Sequence, residues 1–218
     1  MPNNTLGMVK EIFSGVDYDK VSSIQEYLDL LLKYHQTKNL IPSSDKDYIL
    51  KREIYDSYQL IKHLKGNSYT DVGSGGGLPG VILSILNPGQ KVILLDRKKA
   101  FINFLKLAKK HLKLENTEIV EVDFFDNEFD TKTDVIIFKN FSNKKISKMH
   151  FEEKLIYLLN NCKNSSQASR VYMLTGSPVL NLSKTFMNMY NININKIISP
   201  YFDTHRYIAE IKLWKFYL

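Results

Sequence analysis
The spacing of apolar residues changes near residue 69. Before it, apolar positions recur at helical intervals. Met8, Val9, Ile12, Phe13 and Val16 make one stripe, and Ile24, Tyr27, Leu28, Leu31 and Leu32 a second. A third helix is predicted from about Asp47 to Lys65, burying Leu50, Ile54, Tyr58 and Ile61. Pro42-Ser43-Ser44 breaks the chain before it and Gly66-Asn67 ends it. From Tyr69 onward, short apolar runs alternate with helical patterns. Strands are predicted at 69–72, 91–96, 117–122 and 134–138, with helices at about 79–87 and 98–112. A helix near 148–162, a strand at 170–175, a helix near 181–189 and strands at 192–198 and 206–213 complete the chain. The alternation predicts an α/β fold, a parallel sheet with helices on both faces, and the last two strands an antiparallel closing pair. Residues 1–68 are then a helical N-terminal extension on a sheet domain at 69–218, together one compact unit.

The stretch Asp71-Val72-Gly73-Ser74-Gly75-Gly76-Gly77-Leu78-Pro79-Gly80 joins the first predicted strand to a helix opening near Pro79. Glycines let the backbone turn tightly and approach a ligand, and the free N–H groups of the helix start face what lies above. Asp96 ends the second strand, nineteen residues beyond Gly77, the usual spacing for a carboxylate that accepts from ribose hydroxyls. A nucleoside-containing cofactor follows from this arrangement. Asp71, two residues before the first glycine, suits a cation better than a pyrophosphate. S-adenosylmethionine, with an ammonium and a sulfonium, fits Asp71 and Asp96. The alternative for Asp71 is a turn or cap carboxylate. Ligands of such sheets sit at the carboxyl ends of the strands, which places Gly73 to Gly77, Asp96, Asp123 and Lys139 around one crevice. Asp123 is positioned to bond an adenine amino group, with Phe124 or Phe125 packing on its ring.

Charge and composition narrow the partners. A net charge of +7 and a pI near 9.2 favour an acidic partner such as nucleic acid. Lys144, Lys145 and Lys148 follow the fourth strand, and Lys98, Lys99, Lys109 and Lys110 share one helix. One cysteine, Cys162, excludes an internal disulfide and a multi-cysteine zinc site, and no metal is expected. The apolar run Val81 to Leu86 is too short to span a bilayer. A cytoplasmic monomer without membrane contact is the expectation.

Asp71 to Gly80 resembles the DVGTGxGLPG motif of the bacterial 16S ribosomal RNA guanine-N7 methyltransferases, the glucose-inhibited division protein B family. Leu94-Leu95-Asp96 with Lys98, Lys99 and Phe101 to Leu105 resembles its LLDSxxKRxxFL. Asn39-Leu40, Ile54 with Asp56-Ser57, and His205-Arg206-Tyr207-Ile208 are similar to further family motifs in the same order. The resemblance implies a class I, Rossmann-like methyltransferase sheet behind a helical portion. It implies cofactor contacts at Gly73, Leu78, Asp123 and Phe124, with Phe125 as the alternative, and small-subunit ribosomal RNA as partner. Gly75 and Gly77 belong to the same loop. Three positions depart from the family pattern. Lys139 stands for an arginine, Thr175 for a lysine and Glu53 for a histidine. Glu53 is expected to repel RNA, and Thr175 to lack a charge that reaches phosphate.

Guanine N7 has an in-plane lone pair, so its methylation needs placement rather than a strong base. No catalytic His or Cys is evident. Cys162 falls on a helix away from the strand ends. The sequence after the fourth strand, Lys139-Asn140-Phe141, lacks the prolines typical of amino-group methylation. Lys139 and Phe141 are the candidate catalytic residues, Lys139 contacting cofactor or phosphate and Phe141 stacking on the base. Two other readings compete: a divergent relative that binds cofactor and RNA with altered substrate or weak activity, and a nicotinamide-dependent oxidoreductase using a Gly75-x-Gly77-x-x-Gly80 frame.

Overall fold
The computed structural model describes residues 5–125, 130–141, 144–162 and 167–213. Helices α1 (Thr5–Ile12) and α2 (Tyr18–Lys38) precede a helical run of three parts. A turn of α-helix, α3 (Lys46–Tyr48), passes into a π-helical segment, Ile49–Ile54, and then α4 (Tyr55–His63). The third predicted helix is therefore present, but its middle is wound as a π-helix, a form that periodicity does not announce.

The sheet has seven strands: β1 (Ser68–Val72), β2 (Lys91–Asp96), β3 (Thr117–Glu121), β4 (Val135–Lys139), β5 (Arg170–Thr175), β6 (Ile192–Ile197) and β7 (Arg206–Lys212). Their order is β3-β2-β1-β4-β5-β7-β6. The first five strands run parallel, while β7 lies antiparallel to both β5 and β6. Burial explains the sequence pattern. Val135–Lys139 is buried throughout and Lys91–Asp96 is buried after its first residue, as strands covered on both faces must be. The edge strands β3 and β6 are instead partly exposed along their middles.

Crossover helices are α5 (Gly80–Leu86), α6 (Lys99–His111), α7 (Phe151–Cys162) and α8 (Lys184–Met189). On α6, Ile102, Phe104, Leu105 and Ala108 face inward at helical spacing. The predicted helix near 181–189 is shorter than expected, because Ser177–Asn181 forms a 3₁₀ turn and Ser183 caps α8 by accepting from the Phe186 N–H at 3.1 Å. One core joins the N-terminal helices to the sheet: Phe13, Ile24, Leu31 and Ile54 share it with Val81, Leu94, Ile137 and Ile208. A second, on the other face, gathers Phe124, Phe138, Leu158 and Val171. Strand order reverses between β1 and β4, so a crevice opens at the carboxyl ends of those strands. No described helix is long and apolar enough to cross a membrane.

Candidate cofactor cleft and nucleotide site
The glycine loop is fastened from three sides. Gly73 and Ser74 N–H both donate to the Leu95 carbonyl, at 2.8 and 3.0 Å, which ties the loop to the tip of β2. The Ser74 hydroxyl donates to the Asp71 carbonyl at 2.8 Å. From α2, the buried Tyr27 hydroxyl donates to the Gly76 carbonyl at 2.5 Å. Gly73, Gly75 and Gly77 have φ of 72°, 54° and 95°, which L side chains adopt only with strain. A Cβ on Gly73 would lie 2.5 Å from the Phe141 ring, so loop and ring fit closely. Tyr27 fell within an apolar stripe of the sequence, where only its type was visible and not its aim at the loop.

Asp96 sits over this loop. Its Oδ2 accepts from Gly75 N–H at 3.0 Å and its Oδ1 from Lys98 N–H at 2.9 Å. A carboxylate has about four lone-pair directions, so acceptor capacity remains after both bonds. Beside it, Asp123 Oδ1 accepts from Phe125 N–H at 3.1 Å, and its Oδ2 pairs with Arg97 at 3.1 Å. Gly73, Asp96, Asp123, Phe124 and Phe141 line one cleft of about 410 Å³. Leu95, Arg97, Lys98, Phe101, Val122, Asn140 and Lys144 complete it. Phe101, Phe124, Leu95 and Val122 supply apolar surface for a flat ring, and the two carboxylates supply acceptors. These acceptors suit the hydroxyl and amino donors of a nucleoside. Phe124 is buried and lines the cleft, whereas Phe125 turns to Phe141 and Tyr157, with ring centroids 5.8 and 5.0 Å away. A larger hollow of about 480 Å³ lies away from the glycine loop, beside Tyr58, Tyr69 and Gln90.

Several candidates stand outside the cleft wall. Asp71 is 1% exposed, and its Oδ2 accepts from Gly80 N–H at 3.0 Å. The carboxyl thus caps α5 from beneath the loop and does not face a ligand. Burial pushes it up to about 7, with Asp96 adding to the rise; the Gly80 bond, Lys139 and Ser74 oppose it. Gly75, Gly77 and Leu78 shape the loop without lining the cleft. Cys162 is buried on α7, and burial pushes its thiol up, so it offers no nucleophile. No group of three His, Cys, Asp or Glu among the described residues is placed to hold a metal ion.

The chain matches the family model described as rRNA small subunit methyltransferase G (GidB) over residues 20–159. The chain belongs to this family. The Ribosomal RNA small subunit methyltransferase G of Pseudomonas aeruginosa is 39% identical over 111 residues, which are 50% of this chain and 52% of that protein. The chain spans about half the length of the curated relatives it matches. Among solved structures, the ribosomal protein L11 methylase of Lactobacillus delbrueckii aligns with a TM-score of 0.53 at 13% identity, covering 73% of this chain and 78% of that one. A precorrin-6y C5,15-methyltransferase from Geobacter metallireducens aligns at 0.51 and 15%, covering 82% and 92%. These likenesses show the fold, the class I methyltransferase sheet.

Against the family pattern, two of the three departures meet in space. Lys139 and Glu53 form an ion pair in which each side chain is 5% exposed. Two expectations are corrected. Glu53 is not a surface charge that repels RNA, because it is buried on the π-helical segment. Lys139 does not line the cleft, because its ammonium is committed to Glu53. The pair borders a larger network. Asp56 meets Arg52 at 3.5 Å and Arg206 at 3.3 Å, and Arg52 donates to the Thr204 carbonyl at 3.0 Å. This network joins the π-helical segment to the tips of β4 and β7.

Proposed function
We propose that the chain is an S-adenosylmethionine-dependent methyltransferase acting on N7 of a guanine in 16S ribosomal RNA of the small subunit, working as a cytoplasmic monomer. The observation that carries this reading is the juxtaposition of Asp96, Asp123 and the Phe101–Phe124 walls at the glycine loop, in a chain of this family. Asp96 and Asp123 would hold ribose and adenine donors, and Gly73 would let the cofactor lie against the backbone. When bound, the cofactor supplies an electrophilic methyl group on a sulfonium. Guanine N7 would take that methyl group with its own lone pair, displacing the thioether, so no proton would have to leave the base. The protein therefore has to place and desolvate the base, and no general base is required. Phe141, at the border of the cleft, is the surface for that base. Lys139, held by Glu53, acts by fixing the Asn140–Phe141 turn.

The commitment of Lys139 to Glu53 favours a second reading, a relative that binds cofactor and RNA but transfers methyl groups slowly. Isotope-labelled methyl transfer to small ribosomal subunits separates the two, and mass mapping of the RNA locates the product. The labelled group is expected on a guanine at N7; a label on a pyrimidine or an exocyclic amine would overturn the assignment. The oxidoreductase frame has less support, since Asp71 already occupies the Gly80 N–H that a pyrophosphate would need. Calorimetry should show S-adenosylhomocysteine binding and no nicotinamide dinucleotide binding.

A further inference from the structure
A second hollow of about 220 Å³ opens on the other side of Phe141. Phe138, Asn140, Phe141, Phe151, Lys154 and Thr175 line it, and Asn140 and Phe141 also line the cofactor cleft. The two cavities therefore share a wall. We propose that this hollow seats the target purine and that Lys154 reads its O6 atom, an inference that rests on the methyltransferase reading above.

Four observations carry it. The aromatic rings can take a flat base taken out of its stack. Lys154 reaches in from α7 and donates to the Phe141 carbonyl at 2.8 Å, which leaves two of its three N–H groups for a ligand. Its ammonium is tied to the carbonyl of Phe141, a residue of the shared wall, so a base whose O6 meets it can present the adjacent N7 toward the cofactor side. None of the described residues lining the hollow is acidic, so none of them offers a carboxylate to the N1–H and amino donors of guanine. The O6/N7 edge is the edge these residues can read. Guanine offers an acceptor at that position and adenine an amino donor, so a lysine there selects guanine.

The same hollow contains Thr175, where the family motif has a lysine. The cation missing from β5 is supplied by α7. Methylation at N7 leaves the ring positively charged, which a nearby ammonium opposes. Burial lowers the proton affinity of Lys154, which limits that cost.

The test uses the full chain saturated with S-adenosylhomocysteine. Saturation-transfer NMR compares guanosine and adenosine 5′-monophosphates, and initial rates are measured on small-subunit RNA with S-adenosylmethionine. The wild type should prefer the guanine nucleotide. Lys154→Met should abolish that preference and lower kcat/KM on RNA by about tenfold or more, the loss of one charged hydrogen bond, while S-adenosylhomocysteine affinity stays unchanged. Lys154→Arg should restore most of both. A Lys154→Met protein that keeps guanine preference and rate overturns the proposal, as does one that loses cofactor affinity in parallel. A wild type that shows Lys154-dependent guanine preference but methylates no RNA would sink the activity reading and leave the base site standing.

Discussion
The two sides of Phe141 are built differently. On the cofactor side, the parts are short and nearly contiguous: a loop of eight residues, a carboxylate at the next strand end and another after the third strand. Their bonds run mostly from backbone N–H to carboxylate or carbonyl. Outside the cleft, contacts join separate segments through side chains: Glu53 to Lys139, Arg206 to Asp56, Lys154 to the Phe141 carbonyl. Backbone geometry accounts for the first group of contacts, and side-chain pairing for the second. The first is thus set by residue type at fixed spacing, and the second by partners that the fold brings together. Lys139 and Glu53 illustrate this, since both differ from the family pattern and each is the other's partner.

The largest effect should come from breaking that pair. Glu53→Ala leaves an unpaired buried ammonium and should cost about 3–5 kcal/mol in urea unfolding. Restoring the family residues together, Glu53→His with Lys139→Arg, should recover part of that loss. Additive losses in the double variant would mean that the two positions are not coupled. Gly73→Ala sharpens the other half of the comparison. Left-handed strain of about 1–2 kcal/mol, with a Cβ 2.5 Å from Phe141, should displace the ring and abolish S-adenosylhomocysteine binding by calorimetry. Full affinity in this variant would show that the loop is not the cofactor's seat.

Asp71 tests the boundary between the two regions. Asp71→Ala strands the buried Gly80 N–H and should cost about 1–3 kcal/mol. Between its ordinary value of 3.8 and about 7, the folded chain keeps a proton on Asp71 that the unfolded chain has released. Its contribution to stability is whole below pH 3.8 and is lost as pH rises past 7. Thermal melts across this window should show that decline in the wild type, and Asp71→Asn, which still accepts from Gly80, should flatten it. The smallest effect belongs to Arg97→Ala. Its pair with Asp123 is half-exposed, so stability should change by about 0–1 kcal/mol. Cofactor affinity would shift more only if Arg97 orders Asp123 against Phe125.

Much of the cofactor side was legible in advance. Strand ends agree with the alternating pattern to within about two residues, and Gly73, Asp96, Asp123 and Phe124 meet in the expected crevice. Asp71 shows where such legibility stops. Its position before the glycines allows a ligand contact or a helix cap, and only the close packing of Gly80 against its carboxyl selects the cap. Glu53 shows the same limit more strongly. A charge on a helix reads as a solvated face until a strand tip places a lysine against it. Tyr27 and Lys154 are of this kind too, each a common residue on an amphipathic helix whose polar end finds one carbonyl outside its own helix.

From sequence alone came the helical and strand segments, the parallel sheet and the glycine loop, because backbone hydrogen bonding imposes periods and turn residues that are local. Tertiary structure alone decided which charges are buried, which partners they hold and which wall divides the two cavities. Those outcomes depend on desolvation, and desolvation depends on what the fold brings near a group rather than on its neighbours in the chain.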